Sequence, residues 1–253
     1  MRKNRNNFQF WKKIYKIRYW SSLKKDTDRQ FVFIKEFLPL PKYRYVLDFM
    51  CGFGRHALRL AEEGYQVEGF DIDEESIAMA YRQIKLKNLR NIKIYRQDAV
   101  KFHKKNFNAA ICFYSSVGCL DEESNEKIFN NLLQSVKIEG RIILDVMNPT
   151  YAIKHLTPYM IKIKEYKGKK YFIKHRRSIL YNPVREKNII TVIDIQTHKK
   201  YSADYTLRLY SENELKIKFR KGGFKIKNMY GSFCKEKTSE DLERIIVVAD
   251  RIK

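Results

Sequence analysis

Residues able to do chemistry gather first in VLDFMCGFGRHA, residues 46–57. Gly52, Gly54 and Ala57 satisfy the spacing GxGxxA, and an acid, Asp71, lies 17 residues beyond Gly54 at the end of the hydrophobic run QVEGFD. Glycines in such a turn let backbone N–H groups and a helix N-terminus approach a ligand. A carboxylate at the tip of the following strand accepts hydrogen bonds from ribose hydroxyls. The pattern marks an adenosine-ribose site without naming the cofactor, and a plain tight turn satisfies the glycines equally.

Asp48 narrows the choice. It lies just before the turn, where a phosphate-binding loop gains nothing from a negative charge and a cationic ligand does. The amino acid end of S-adenosylmethionine carries such a cation, an ammonium beside a sulfonium. A third acid, Asp98 in Gln97-Asp98-Ala99, follows the run NIKIYR and is placed to accept a hydrogen bond from an adenine amino group.

Placing these residues requires strands that end side by side. RYVLDF (44–49), QVEGFD (66–71), NIKIYRQD (91–98), AAICFYS (109–115) and RIILDVM (141–147) read as five strands. Helices are expected between them over about 55–63, 74–87 and 123–137, with an earlier helix from about Asp26 to Leu38 ended by Pro39 and Pro41. Strands alternating with helices of about 10–15 residues imply an α/β, Rossmann-like parallel sheet covered on both faces. After Tyr151 the pattern changes to period two. YFIKHRRSIL, NIITVIDIQ and YSADYTLRLY predict an antiparallel insertion after strand five. SENE, Ser211 to Glu214, is a capping box that starts another helix, and KIKNMYG and RIIVVAD supply two last strands. The expected organisation is an N-terminal helical lid segment over 1–40, a cofactor-binding core over 41–150, a basic β-rich insertion over 151–209 and completion of the core sheet over 210–253.

The net charge of +23 is unevenly spread. Residues 1–25 hold nine Lys/Arg and no acid, residues 26–150 hold eighteen of each sign, and residues 151–208 hold fourteen basic against four acidic residues. Either the composition is lysine-rich throughout the surface, or the two basic segments face an anionic substrate or partner. No apolar run approaches the ~18 residues of a membrane span, and none of ~7 follows the basic N-terminus as in a signal peptide. The four cysteines, Cys51, Cys112, Cys119 and Cys234, show no CxxC spacing. A reduced, cytoplasmic protein without a metal site is expected.

VLDFMCGFGRHALRLAEEGYQVEGFDID, RQDAVKF, CFYSSVGCL, EGRIILDVMNP, YTLRLYSENEL, GGF and VVADRIK resemble, in order, the class I S-adenosylmethionine-dependent methyltransferases. The likeness runs from about Arg18 to the end. It is nearest to the bacterial small-molecule group with a β insertion, and FYSSVGCL also resembles the aminosugar N-methyltransferases. The resemblance implies a seven-stranded sheet and S-adenosylmethionine as cofactor. It implies that Asp48, Gly52 and Gly54, in one loop with Met50 and Cys51, line the methionine end. Asp71 would hold the ribose, Ile72 would pack on adenine, Asp98 and Ala99 would meet its edge, and Phe113-Tyr114-Ser115 would lie under the sulfonium. Two residues depart from the family pattern. Met50 stands where a glycine is usual, so its side chain must point away from the ligand. Asn108 replaces an acid before strand four, at a position more often structural than catalytic.

For the acceptor side, Tyr114 is the best-placed candidate to orient a substrate, and equally a packing aromatic at a strand end. His155 is a candidate general base, because an unperturbed imidazole titrates near working pH. A histidine at the start of an insertion is as readily plain surface. Asn148, Arg208 and Tyr210 are candidate pocket residues, with strand packing as the alternative, and Tyr19 and Trp20 would close a lid or staple the N-terminal segment. His103 and His198 sit in lysine-rich turns and look solvated. The leading reading is methyl transfer to a small anionic acceptor such as a nucleotide-linked sugar or phosphorylated metabolite. An RNA or DNA methyltransferase comes second, weakened by FYSS where an NPPY-type turn is expected. A nicotinamide-dependent oxidoreductase and a non-catalytic cofactor-binding module complete the alternatives.

Overall fold

The computed structural model describes residues 14–253, without the side chains of residues 15, 16 and 18–25. Helix α1 (Tyr15–Phe37) leads into β1 (Tyr45–Phe49), α2 (Arg55–Glu62), β2 (Gln66–Asp71), α3 (Glu74–Leu86) and β3 (Ile92–Arg96). Then come β4 (Phe107–Cys112), α4 (Glu122–Ser135), β5 (Val136–Met147) and the short α5 (Pro149–Lys154). Strands β6 (Tyr159–Tyr166), β7 (Lys169–Leu180), β8 (Arg185–Asp194) and β9 (Lys200–Arg208) form a separate antiparallel sheet. The chain returns through α6 (Glu212–Lys221), β10 (Phe224–Tyr230) and β11 (Arg244–Arg251).

The main sheet has the order β10-β11-β5-β4-β1-β2-β3. Only β11 runs against its neighbours, pairing antiparallel with both β5 and β10. Its central strands are apolar on both faces because helices cover both: β4 reads FNAAIC and β1 YVLDF, almost wholly buried. One core, around Phe70, Phe129, Leu132 and Phe219, lies under α4 and α6. The other, around Phe33, Leu60, Ala80 and Ile111, lies under α1 to α3. Each βα junction starts its helix with a side-chain cap or a left-handed glycine. Asp73 accepts from the Ser76 N–H, Asp121 from the Ser124 N–H, and Ser211 with Glu214 forms the capping box expected from sequence. Strand order reverses between β1 and β4, so a crevice opens over their C-terminal ends, the place where doubly wound sheets hold ligands.

Two elements differ from the sequence expectation. Helix α1 begins at Tyr15, well before Asp26. Ile14 and Ile17 bury against Tyr171, Ile173, Ile190 and Val192 of the second sheet, a long-range contact that local propensity does not encode. The second sheet has four strands, one more than expected. The extra strand, β6, is an edge strand with no fully buried residue, so it lacks the strong alternation that marks its neighbours. Among the described residues no helix is long and apolar enough to cross a membrane.

The second sheet is fixed to the main one at the tip of β4. Arg185 pairs with Glu122 at 2.8 Å, and Arg208 with Glu122 at 3.4 Å and with Glu214. Gly118 lies flush against the β9 backbone: a Cβ there would sit inside van der Waals distance of the Arg208 carbonyl oxygen. Backbone cannot swing aside as a side chain does. Gly118→Ala is therefore expected to cost about 1–3 kcal/mol and lower the melting temperature by several degrees, measured by calorimetry. An unchanged melting temperature would contradict this close approach.

Candidate functional site

The turn after β1 is built on left-handed backbone. Met50, Gly52 and Gly54 have φ of 59°, 56° and 75°. Glycine adopts this conformation freely; Met50 adopts it at a cost and packs its side chain against the core beneath. That matches the requirement that this side chain point away from a ligand. Cys51 donates its N–H to the Phe70 carbonyl at 2.8 Å, and its sulfur lies beside Gly69 of β2. A Cβ on Gly54 would meet Ile94 Cδ1 at 2.8 Å, whereas one on Gly52 would meet nothing within 4 Å. Gly54 thus serves packing of α2 on the sheet, and Gly52 borders open space.

Two carboxylates flank this space. Asp71 accepts from the Gly52 N–H at 2.9 Å on Oδ2 and from the Asp73 N–H at 3.0 Å on Oδ1. Each oxygen retains a lone pair for a further donor. Asp48 is only 4% exposed and accepts from the Ala57 N–H at 3.1 Å. Burial pushes its carboxyl up to about 7, while the Arg55 guanidinium and the Ala57 N–H pull in the opposite sense. Burial also raises Asp71, opposed by its N–H donors. A cation placed near Asp48 would relieve this cost directly.

Further along the crevice, Ile72 is 41% exposed beside Asp71, an apolar platform at the tip of β2. Asp98 caps the short turn 99–101 by accepting from the Val100 N–H at 2.9 Å, and Ala99 is buried behind it. Phe113 is buried edge-on against His56 and Phe233.

The tip of β4 is a second left-handed corner, with φ of 62° at Tyr114 and 57° at Ser115. The Tyr114 N–H donates to Asp145 Oδ2 at 2.9 Å, and the Ser115 N–H to the Asp145 carbonyl at 3.0 Å. Asp145 is fully buried and receives Arg244 Nε at 2.6 Å and Nη2 at 2.7 Å. The Tyr114 ring has the Arg55 guanidinium 5.1 Å and the Arg244 guanidinium 5.5 Å from its centre. Its hydroxyl donates to Asp26 of α1 at 2.8 Å. Arg55 also donates to Thr27 at 3.0 Å and to Gln30, and Gln30 meets His56 Nε2 at 3.0 Å. The second half of α1 is thereby pinned across the strand tips. Burial holds the Tyr114 hydroxyl well above its ordinary value, with the Asp26 carboxylate adding to it. Tyr114 is a donor here.

The other expected site residues lie apart from this cluster. His155 ends α5, stacks on Tyr151 at 4.4 Å and faces Asp241 at 3.6 Å. Asn148 caps α5 and donates to the carbonyls of Ser239 and Leu242, beside a cavity of about 460 Å³ bordered by Ser211, Glu212 and Glu240. Arg208 is buried in its pairing with Glu214, and Tyr210 is fully buried against Phe129 with Arg208 over its ring at 4.7 Å. Both occupy the packing that fastens β9 to α4 and α6. Asn108, the departure before β4, accepts from the Tyr45 N–H at 2.8 Å and so ties down the start of β1. The side chains of Tyr19 and Trp20 lie outside the described residues. Sequence reasoning missed Asp26, Gln30, Arg55, Asp145 and Arg244. For Asp145 a signal existed: an acid inside the apolar run IILDVM needs a buried partner.

A methyltransferase domain family matches residues 46–140, the span from β1 through the start of β5. Over that span the chain carries a methyltransferase domain. A protein of Geobacillus sp. (strain WCH70) that carries a methyltransferase name is 24% identical to this chain over 81% of the chain and 84% of the relative. Among solved structures, an S-adenosylmethionine-dependent methyltransferase from Clostridium acetobutylicum superposes with a TM-score of 0.75 at 18% identity, over 95% of this chain and 97% of that one. An amino pentose methyltransferase from Micromonospora echinaspora superposes with a TM-score of 0.65 at 17% identity, over 90% of this chain and 90% of that one. The open space at Gly52, the lone pairs left on Asp71 and the costly burial of Asp48 fit a nucleoside bearing a cationic amino acid tail.

That fit has a pH signature. Burial pushes the Asp48 carboxyl up to about 7, so an ammonium bound beside it would draw it into its ionised form. Affinity for S-adenosylhomocysteine, whose ammonium is retained, is expected to be flat above pH 8 and to weaken as pH falls through 7, approaching tenfold per unit. Titration calorimetry across pH 5.5–8.5 measures this, and Asp48→Asn should flatten the profile.

Proposed function

We propose that this methyltransferase moves a methyl group from S-adenosylmethionine to a small anionic acceptor, such as a nucleotide-linked sugar or a phosphorylated metabolite. One observation carries the cofactor half of the reading: Asp48 and Asp71 end neighbouring parallel strands on either side of a left-handed turn that is open at Gly52. Asp71 receives the ribose hydroxyls, Asp48 faces the ammonium, Ile72 packs on the adenine, and Asp98 with Ala99 meets its edge. When bound, the cofactor supplies a methyl group already activated by a sulfonium.

What remains for the protein is positioning, worth up to roughly 7–11 kcal/mol when two reactants are aligned. Tyr114 supplies it as a hydrogen-bond donor held between two guanidiniums. It does not serve as a base, because burial keeps its proton on. The acceptor binds between the β4 tip, the second half of α1 and the inward face of the second sheet. His155, held by Asp241, serves the surface of α5 in this reading. For the acceptor's charge the support is the field of the insertion. Lys170, Lys174, Arg176 and Lys187 are exposed on the face turned away from α1 and act at long range, steering an anion without touching it. The amino pentose methyltransferase named above supports a sugar-bearing acceptor by likeness of fold.

Four measurements test this. S-adenosylhomocysteine should raise the melting temperature and NAD should not; a shift with NAD alone would overturn the cofactor reading. Asp71→Ala should weaken binding roughly 10- to 100-fold, the worth of charge-assisted hydrogen bonds. With a panel of nucleotide-linked sugars, sugar phosphates, neutral sugars and RNA, methyl transfer is expected to the phosphate-bearing small molecules. Raising salt should lower kcat/KM and leave kcat unchanged. Transfer to RNA alone would replace the proposed acceptor.

A further inference from the structure

We propose that Arg244 is a positioning residue for methyl transfer: paired with Asp145 and lying over the Tyr114 ring, it lets the last strand set the acceptor side of the site. The inference rests on the function proposed above. Its observation is independent of the cofactor turn, because none of the three residues belongs to that turn.

The geometry is specific to an arginine. Arg244 is the first residue of β11, in register with Met147 at the end of β5. Its Nε and Nη2 grip both oxygens of Asp145, two residues earlier on β5, in the planar two-point contact that a lysine does not make. Asp145 Oδ2 is shared: it also accepts the Tyr114 N–H. Ser115 is held from the same side, its Oγ accepting from the Met147 N–H at 2.7 Å and meeting Arg244 Nη2 at 3.5 Å. Two successive left-handed residues that are not glycine do not hold that shape unaided. Here the backbone N–H groups of both corner residues run to Asp145, and the Ser115 hydroxyl runs to Met147 and Arg244.

Stability alone is a poor account of the pair. A largely buried ion pair gives up much of the hydration of both partners, and apolar replacements of such pairs are often neutral or stabilising. What the apolar replacement does not supply is an acceptor for the Tyr114 N–H and the second of the two cations over its ring. From Tyr114 the contact continues to Asp26 of α1. A chain of contacts thus joins the final strand to the first helix, Arg244 to Asp145 to Tyr114 to Asp26, and sets where the Tyr114 hydroxyl stands.

The test separates positioning from folding. The charge-neutral double variant Asp145→Asn/Arg244→Met removes the pair without leaving a buried lone charge. Protein labelled with 3-fluorotyrosine gives a fluorine resonance for Tyr114, assigned by its loss in Tyr114→Phe. The double variant is expected to melt within several degrees of wild type and to bind S-adenosylhomocysteine within about threefold, since the cofactor turn is separate. Its Tyr114 resonance should shift and broaden, and amide exchange in residues 26–31 should accelerate about tenfold or more. A Tyr114 resonance and an exchange rate equal to wild type would overturn the proposal. If the double variant melts far lower, Arg244→Lys decides: a charge kept without the two-point grip should still shift the Tyr114 resonance, and an unshifted one overturns the proposal. Failure of wild type to bind S-adenosylhomocysteine would count against the proposed function alone, because the Tyr114 readouts need no ligand.

Discussion

The hydrogen bonds from the Gly52 and Asp73 N–H groups to Asp71 are the contacts on which the site depends. They fasten the loop after β1 to the end of β2, so the turn is presented at one height over two adjacent strands. Bonds from neutral N–H groups to a carboxylate are stronger than neutral pairs, and they hold where a surface turn would otherwise wander. Strands β1 and β2 align because Asp48 and Gly69 are paired in register, which brings the two carboxylates to one edge. The parallel sheet, with its apolar strands and caps, is what delivers both acids to that place.

A second fixed point, the Tyr114–Ser115 corner, faces the first across the crevice. The two corners share a logic, left-handed backbone held by a carboxylate, yet differ in what surrounds them. Asp71 is bound only by backbone N–H groups beside the open space at Gly52, whereas Asp145 is consumed by Arg244 and the Tyr114 N–H. One carboxylate is arranged to meet a ligand and the other to hold a residue that meets it. Helix α1 closes over both through Asp26, Thr27 and Gln30, so the first helix completes a crevice built by the rest.

Much of this was legible in the sequence. The alternation of strands and helices, the glycine turn and the acids at successive strand ends are local patterns, and they placed Asp48, Gly52 and Asp71 together. The capping box at Ser211 gave the start of α6. What escaped was set by distance along the chain. Asp26 meets Tyr114, and Arg244 meets Asp145, through the tertiary fold; no spacing rule links them. The first half of α1 forms because Ile14 and Ile17 are covered by the second sheet, and β6 hides because an edge strand of alternating aliphatics and lysines buries too little to show a face. Arg208 and Tyr210 read as pocket residues from their place at the end of the insertion, yet lie buried where β9 meets α4 and α6. The basic insertion was visible as charge, but only the register of β7 and β8 shows that its lysines face outward.

The most direct measurement is a crystal structure of the protein with S-adenosylhomocysteine. The ribose hydroxyls should lie within hydrogen-bond distance of both Asp71 oxygens, the ammonium beside Asp48, and the adenine against Ile72. A nucleoside bound elsewhere, with the Gly52 space empty, would contradict the assignment of this crevice as the cofactor site.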